Sequence, residues 1–290
     1  MRFALGIDSR ARSRGAIEFA SWLRQHTDDA EIVGVHVIDQ RLRVSLRDDL
    51  ADEVVARAQR DLDAALQDAD ARSVVVSAHV AFSDSPEEGL AASIGEQRID
   101  ALLLGRIAPA HAIALQRLGR VARRLVRTLP SAVVVVPPDL TREQIGAGPV
   151  LLATDGREPA VEAARFAARL AGSLGRPLLA LQGTTPREYA PDFESPVQLA
   201  RDPHAALDPA ELVAWLAKVG CPQAQALVVE GDVVDTLFTV AARERAPVIV
   251  TGSRRLGVAD RLFSSSVGTD LARLADRAVA IVPNLVPPGT

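Results

Sequence analysis

The feature that most constrains the fold of this chain is an internal repeat with a period of 147 residues. An apolar run that ends in aspartate occurs twice, as FALGID ending at Asp8 and as VLLATD ending at Asp155. An apolar run that ends in glycine also occurs twice, at Gly105 and Gly252, again 147 positions apart. The final runs of the two copies, AVVVVP and AVAIVP, end 146 positions apart. A period kept this far along the chain indicates a duplicated domain.

Within the first copy, short apolar runs alternate with segments whose apolar residues recur at helical spacing. The predicted strands are residues 3–8, 32–38, 73–82, 101–105 and 132–138, and the predicted helices are 14–25, 46–69, 86–97 and 114–129. A strict alternation of strand and helix calls for parallel strands with right-handed crossovers. The sequence therefore predicts an α/β fold: two repeated five-stranded parallel-sheet domains, doubly wound, with helices on both faces of each sheet.

The domain boundaries follow from the composition between the two copies. The predicted domains are residues 1–138 and 149–290, which fits the usual size of a domain. The segment 139–148 has the glycine, proline and charge content of a linker. Residues 184–208 are polar and proline-rich, and we expect them to form a surface excursion.

Composition and charge exclude several classes of protein. The 290-residue chain has 33 basic and 37 acidic residues, a formal net charge of -4, which argues against a nucleic-acid-binding protein. Cys221 is the single cysteine, so an internal disulfide or a cysteine-based zinc site cannot form, and we expect an inert thiol. No apolar run approaches the ~20 residues that span a bilayer, and the N-terminal MRFALGIDSR lacks the pattern of a signal peptide. We therefore expect a cytoplasmic protein with neither a membrane nor a nucleic-acid partner.

The most distinctive candidate site is the stretch in which PVIVTGS ends at Gly252 and Ser253 and leads into the serines at 264–266 and a short helix. A helix N-terminus offers unpaired amides and the positive end of its dipole, and small residues let an anion approach, so this stretch predicts phosphate binding. The serines would serve equally as helix N-caps without a ligand. Asp8 and Asp155 stand at strand ends, where a carboxylate either meets a ligand or caps nearby loop amides.

Both copies share three sequence features: GIDS and ATDG at the first strand, LLLGR and VTGSR at the fourth, and VVVVPP and AIVP at the fifth. Together with VVEGDVVDTLFTVAARERAPVIVTGSR, these features resemble the universal stress protein family, in tandem form, over nearly the whole chain. The resemblance implies an adenine-nucleotide α-hydrolase-like fold, in which many members bind ATP or another adenine nucleotide and others bind none. Members that bind carry G-x2-G-x9-G-[ST], which holds the phosphates, and an aspartate at the end of the first strand that contacts the adenosine moiety.

Neither copy carries this pattern in full. In the second copy an arginine, at 255, stands where the second glycine belongs, and its guanidinium could pair with phosphate instead. In the first copy Ala108 takes the second glycine position and Arg120 the hydroxyl position. The resemblance implies ATP or AMP as the candidate ligand, with weak binding in the second copy. The candidate binding residues are Asp8, Gly105 and Gly119 in the first copy and Thr154, Asp155, Gly252, Ser253, Arg254, Arg255, Ser265 and Ser266 in the second.

No other residue pattern predicts a catalytic or metal site. The histidines show no HxxxH or HxH spacing, and His36 and His79 lie in predicted strands, so we expect them in the core or at a sheet edge. The serines at 264–266 do not form a GxSxG nucleophile elbow. An arginine stripe shares one face of the fourth helix, and we expect that face to be solvated. Its members are Arg117, Arg120, Arg124 and Arg127.

The leading hypothesis is a non-enzymatic stress-response and regulatory binding module whose two domains form an internal pseudo-dimer. The resemblance implies that the last strands, AVVVVP and AVAIVP, meet across a two-fold axis, which would also cover two apolar sheet edges. Association of two such chains is left open. One alternative is an adenine-nucleotide-dependent hydrolase or transferase that uses the loop 252–266. The other is a protein that binds no ligand because both degenerate loops are closed.

Overall fold

The computed structural model describes residues 1–8, 13–27, 29–41, 48–107, 118–184, 206–253 and 267–284. The first half consists of β1 (Arg2–Gly6), α1 (Arg14–His26), β2 (Glu31–Asp39), α2 (Asp48–Asp68), β3 (Ser77–Ser83), α3 (Pro86–Gln97), β4 (Ala101–Gly105), α4 (Arg120–Thr128) and β5 (Ala132–Val136). The second half consists of β6 (Val150–Ala153), α5 (Val161–Ser173), β7 (Leu178–Thr184), β8 (Ala206–Leu207), α6 (Ala210–Lys218), β9 (Gln225–Glu230), α7 (Val233–Arg243), β10 (Val248–Ser253), α8 (Val267–Leu274) and β11 (Ala278–Pro283).

The strands of the described residues form one eleven-stranded sheet, with the order β3-β2-β1-β4-β5-β11-β10-β6-β7-β9-β8. Neighbours within each half run parallel, apart from the short β8, which pairs antiparallel with β9. Every residue of β5 and of β11 is buried, as expected for strands of a parallel sheet that is covered on both faces.

Two clusters of buried apolar side chains cover the sheet. One cluster contains residues of α1, α2, α5 and α6, and the other contains residues of α3, α4, α7 and α8. Each cluster includes side chains from both halves of the chain, so the two halves share both apolar layers. The predicted α/β class, with two repeated parallel units and helices on both faces, is confirmed.

The two halves join through their last strands. β5 and β11 pair antiparallel, with Val133 opposite Ile281 and Val134 opposite Ala280. This pairing was expected from the family resemblance, and it buries two apolar strands that would otherwise present open edges. The halves are therefore related as two parallel sheets that meet edge to edge and continue each other.

Arg106, which follows β4, makes a further link between the halves. Its side chain is buried, and its Nη1 donates hydrogen bonds to the carbonyl oxygens of Arg273 at 2.8 Å and Ala272 at 3.3 Å. These carbonyls lie at the C-terminal end of α8, where the helix dipole favours a cation. The period of 147 places Ser253 at the corresponding position, so the repeat does not supply the same guanidinium in the other half.

The segment between the halves is packed against both of them. Leu140 and Ile145 are buried. Arg142 Nε donates to Glu18 Oε2 of α1 at 2.6 Å, which ties the segment to the first half. Arg176 Nη1, from the second half, donates to the carbonyl oxygen of Gly148 at 3.1 Å. These contacts fix the connection between the two halves in one conformation.

Three details differ from the sequence-based predictions. The helix predicted from position 114 begins at Arg120, because Gly119 adopts a φ of +75° and so stands outside it; residues 114–117 lie outside the described residues. The third strand begins at Ser77 rather than at 73, since the Val74 N–H donates to the Ala71 carbonyl oxygen at 3.0 Å and closes a turn. Of the excursion predicted at 184–208, the structure describes Thr184, which ends β7, and residues 206–208, of which Ala206 and Leu207 form β8; residues 185–205 lie outside the described residues.

Candidate ligand-binding site

A cleft of about 330 Å³ lies in the first half, at the carboxyl ends of β1 and β4. These two strands are neighbours in the sheet, but the chain leaves β1 toward β2 and leaves β4 toward β5. The helices that follow them therefore separate, and a crevice opens between the strand ends. In open α/β sheets this point of divergence is the usual position of a ligand.

The cleft has a predominantly apolar lining. Val35 and Val37 come from β2, Leu90 from α3 and Leu104 from β4, while Leu118 precedes α4. Side chains of this kind suit a ring system or another apolar group of a ligand, and a small number of polar groups then fixes its orientation. The 330 Å³ volume lies at the lower end of the range typical of small-molecule pockets.

Asp8 is the carboxylate at this cleft, and Ser13 positions it. The Ser13 hydroxyl donates to Asp8 Oδ1 at 2.9 Å and accepts from the Asp8 N–H at 2.9 Å. In these two contacts the Asp8 carboxylate accepts from a hydroxyl, and the N–H of Asp8 itself donates to the same Ser13 oxygen. The carboxylate remains at the lining of the cleft, where it can also accept from a ligand hydroxyl.

His36, from β2, also lines the cleft, although its pattern in the sequence predicted only a core or sheet-edge position. Its Nδ1 lies 2.8 Å from the carbonyl oxygen of Ile7, which can only accept, so Nδ1 carries the proton. A neutral imidazole held in this way leaves Nε2 as an acceptor. His79, on the edge strand β3, instead lies beside Gln97, at 3.5 Å between Nε2 atoms.

The first turn of α4 supplies amides to the same cleft. Gly119, Arg120, Val121 and Ala122 line it, and Gly119 is the N-cap residue. Among the described residues no side chain caps this helix end. The first amides of a helix have no intrahelical partner, and the dipole makes this end positive, so the wall formed by α4 favours an anion or a hydrogen-bond acceptor.

The predicted first-half residues are thus brought together. Asp8, Gly105 and Gly119 all line one cleft, although they are far apart in the sequence. Gly119 is constrained twice: its positive φ suits glycine, and a Cβ there would lie 2.5 Å from Ile107 Cδ1. This geometry is independent of whether the loop before Gly119 follows a nucleotide-binding pattern.

The second-half candidates are described only at the strand ends. Thr154 Oγ1 accepts from the Gly156 N–H at 3.0 Å, and Asp155 Oδ1 accepts from the Arg157 N–H at 3.2 Å. Thr251 of β10 lies opposite Ala153 of β6, so the strand ends that carry Asp155 and Gly252 are neighbours. Ser253 ends β10. The remaining candidates lie outside the described residues: Arg254, Arg255, Ser265 and Ser266.

The arginine stripe of the fourth helix faces solvent but is paired with acids of α3. Arg120 Nε lies 3.4 Å from Glu87 Oε1, and Arg124 Nη2 lies 3.7 Å from Glu88 Oε1. The side chains of Arg120 and Arg124 are 80% and 54% exposed. Arg117 lies outside the described residues.

Cys221 is buried, and its thiol is unsuited to nucleophilic chemistry. Burial raises the pKa of this thiol, and Sγ points to the Ala164 carbonyl oxygen at 3.7 Å. Because the thiolate is the reactive form, we expect Cys221 of the native protein to react with Ellman's reagent roughly 100-fold more slowly than in denaturing urea. Equal rates in the two conditions would show that the thiol is accessible in the native state.

Metal-binding clusters and membrane-spanning helices are both absent from the part of the chain that the structure describes. That part contains no group of three or more histidine, cysteine, aspartate or glutamate side chains placed to hold a metal ion. Nor does any helix within it combine the length and the apolar character needed to cross a bilayer.

The fold and the cleft define a doubly wound α/β protein with a crevice at the carboxyl ends of its parallel strands. The model of the universal stress protein family matches residues 1–137 and again residues 147–283. The chain therefore belongs to the universal stress protein family and carries the family's unit twice.

Individual relatives agree with this assignment. A Thermus aquaticus protein described as "Universal stress protein in QAH/OAS sulfhydrylase 3'region" is 30% identical over 135 residues, which cover 46% of this chain and 96% of the relative. The crystal structure of a universal stress protein from Archaeoglobus fulgidus DSM 4304 has a TM-score of 0.68, with 98% of each chain covered. Its sequence identity of 15% limits this second likeness to the fold.

Proposed function

We propose that this chain is a cytoplasmic, non-enzymatic regulatory module that binds an adenine nucleoside or nucleotide in the first-half cleft. Its two domains, 1–138 and 149–290, are joined by residues 139–148 and act as an internal pseudo-dimer. The observation that carries the proposal is the convergence of three elements on one apolar crevice. Those elements are the Asp8 carboxylate, the strand end at Gly105 and the first turn of α4, whose N-cap residue is a glycine without a capping side chain.

Each part of the cleft suits one part of an adenosine-type ligand. The apolar side chains offer a surface to the base, and Asp8, at the end of β1, can accept hydrogen bonds from ribose hydroxyls. The first turn of α4 offers amides to a phosphate or to another acceptor beyond the ribose. This division of roles agrees with the one that the family resemblance implies for an aspartate at the first strand end.

Weak adenine-nucleotide binding in the second half remains part of the proposal, with ATP or AMP as its ligand. Support comes from the placement of Thr154 and Asp155 beside the end of β10, at the second point where the strand order diverges. The regulatory, non-enzymatic role is supported by the local engagement of the polar groups at the first cleft. The Ser13 hydroxyl donates to Asp8, and His36 Nδ1 lies against the Ile7 carbonyl oxygen.

The repeat supplies a matched pair of variants for testing this proposal. Asp8→Ala removes a carboxylate from the first-half cleft, whereas Asp155→Ala removes its counterpart from the second half. In calorimetric titrations with AMP, we expect Asp8→Ala to weaken binding about 10- to 100-fold, the usual cost of losing a hydrogen bond to a charged group. Asp155→Ala should change the Kd of this site less than threefold.

Several outcomes would contradict the proposal. If neither AMP nor adenosine gives a heat of binding with the wild-type protein, the proposed ligand class is wrong. If only Asp155→Ala weakens binding, the binding site lies in the second half. Steady turnover of ATP that Asp155→Ala abolishes would favour the enzymatic alternative. Thermal melting of each variant controls for loss of fold, and absorbance at 260 nm after denaturing the purified protein reports ligand that copurifies.

A further inference from the structure

Glu87 is a buried carboxylate at the edge of the first-half cleft. Only 2% of its side chain is exposed, and neither carboxylate oxygen has a hydrogen-bond partner among the described residues. Among the described residues its ion-pair partner is Arg120, whose Nε lies 3.4 Å from Glu87 Oε1. Arg120 itself lines the cleft, as does Pro86, the residue before Glu87. A buried carboxylate with so few partners depends strongly on this one ion pair.

The start of α3 explains why an acid stands here. Ser85 is the N-cap residue and accepts from the Glu88 N–H at 3.3 Å, and Pro86 opens the helix. Glu87 and Glu88 then occupy the first turn, where the helix dipole favours negative charge. Glu87 faces inward toward α4, whereas Glu88 is 55% exposed and pairs with Arg124 on the outer side. Adjacent glutamates of one helix turn thus have opposite environments.

Among the described residues at the cleft, the positive groups are therefore matched by negative ones. Arg120 and the first turn of α4 are positive, and Glu87 and Asp8 are negative. The phosphates of a ligand with several negative charges would compete with Glu87 for the Arg120 guanidinium. Drawing Arg120 away would leave Glu87 buried without its cation, and leaving Arg120 in place would set Glu87 against the ligand's own charge.

We propose that Glu87 makes the first-half cleft selective for adenine compounds of low negative charge, so that adenosine and AMP bind in preference to ATP. This inference rests on the proposed ligand class and specifies its charge. Glu87 acts through its ion pair with Arg120 and through electrostatic repulsion of the ligand's phosphates. It is a specificity-determining residue rather than a direct contact of the base or ribose.

The test compares the affinities of adenosine, AMP and ATP for the wild-type full-length chain by calorimetry at one ionic strength. We expect ATP to bind at least about tenfold more weakly than AMP, because of the like charges that it must approach. Glu87→Gln keeps the shape of the side chain and removes its charge. It should strengthen ATP binding about tenfold and change adenosine binding less than twofold.

Glu88→Gln is the matched control, because it removes a charge from the same helix turn on the outer side. We expect it to leave all three affinities at their wild-type values. In Glu87→Gln the Arg120 guanidinium is free to bind the phosphates of ATP. Adding Arg120→Gln removes that guanidinium and should cancel the gain in ATP affinity. Arg120→Gln alone leaves Glu87 without this ion pair, so we expect a lower melting temperature together with weaker ATP binding and unchanged adenosine binding.

The outcomes separate this inference from the proposed function. If adenosine or AMP binds and ATP binds as tightly, or if Glu87→Gln leaves the ratio of ATP to AMP affinity unchanged, the role of Glu87 is overturned and the ligand class stands. If no adenine compound binds to the wild-type protein, both proposals fall together. If Glu87→Gln fails to fold, the wild-type ratio and Arg120→Gln still decide the matter.

Discussion

Replacing Gly15 with alanine is expected to destabilise the protein by about 3 kcal/mol, at the upper end of the usual cost of overpacking. Gly15 lies in the first turn of α1, where the chain that leaves β5 passes directly against it. A Cβ at Gly15 would overlap the carbonyl oxygen of Pro137 and approach the backbone of Pro138. Backbone atoms at the end of a central strand cannot move aside as a flexible side chain can. The free energy of unfolding in urea measures the effect.

Gly95→Ala is the control for this substitution. Gly95 lies in α3, and among the described residues a Cβ added there would meet no atom within 4 Å apart from its chain neighbours and the backbone of its own helix. Because alanine has the higher helix propensity, we expect Gly95→Ala to leave the stability unchanged or raise it by up to about 1 kcal/mol. Equal stabilities of the two alanine variants would show that α1 and the end of β5 are not packed as closely as described.

Val134→Asp is expected to have a comparable or larger effect, because it places a charge at the junction of the two halves. Val134 is 2% exposed and lies opposite Ala280 in the β5–β11 pair. An uncompensated carboxylate in such a position costs about 3–5 kcal/mol. Because both apolar layers extend through the junction, we expect the loss to lower the stability of the whole chain in urea rather than that of one half.

The control for the junction is Val76→Asp. Val76 is 70% exposed, so the same change of residue there should alter the free energy of unfolding by no more than about 0.5 kcal/mol. If Val134→Asp were as stable as Val76→Asp, the two last strands would not form a buried pair in solution. That result would contradict the proposed internal pseudo-dimer.

Much of the fold could be predicted because its signals are local or repeated. The strand runs FALG and VLLA contain no polar side chain, as expected for strands buried on both faces, and the spacing of the two copies indicated the duplication. The short strand β8 was missed because two residues carry no periodicity. The start of α4 was placed too early because the backbone conformation of Gly119 cannot be read from the helical spacing of the residues around it.

The candidate site was predictable only in part. Asp8, Gly105 and Gly119 could be chosen as candidates because strand ends and the positions of the family's glycine pattern are visible in the sequence, and all three line one cleft. His36 and Glu87 were not, since their positions depend on which elements pack side by side. In the sequence Glu87 is indistinguishable from any acid in the first turn of a helix, and only the packing of α3 against α4 separates it from Glu88.

The duplication also conceals differences between the halves. Arg106 is a buried interdomain residue, whereas the repeat places Ser253 at the matching position. Sequence comparison of the copies shows the substitution but not that the guanidinium reaches the end of α8 in the other half. The two copies therefore share a fold and differ in what their strand ends contact.

The most direct test of the central claim is a crystal structure of the full chain grown with AMP. We expect electron density for the nucleotide in the first-half cleft, with the ribose beside Asp8, the base against the apolar lining and the phosphate at the first turn of α4. An empty first-half cleft at a saturating concentration of AMP, or a nucleotide bound only in the second half, would contradict the proposed binding site.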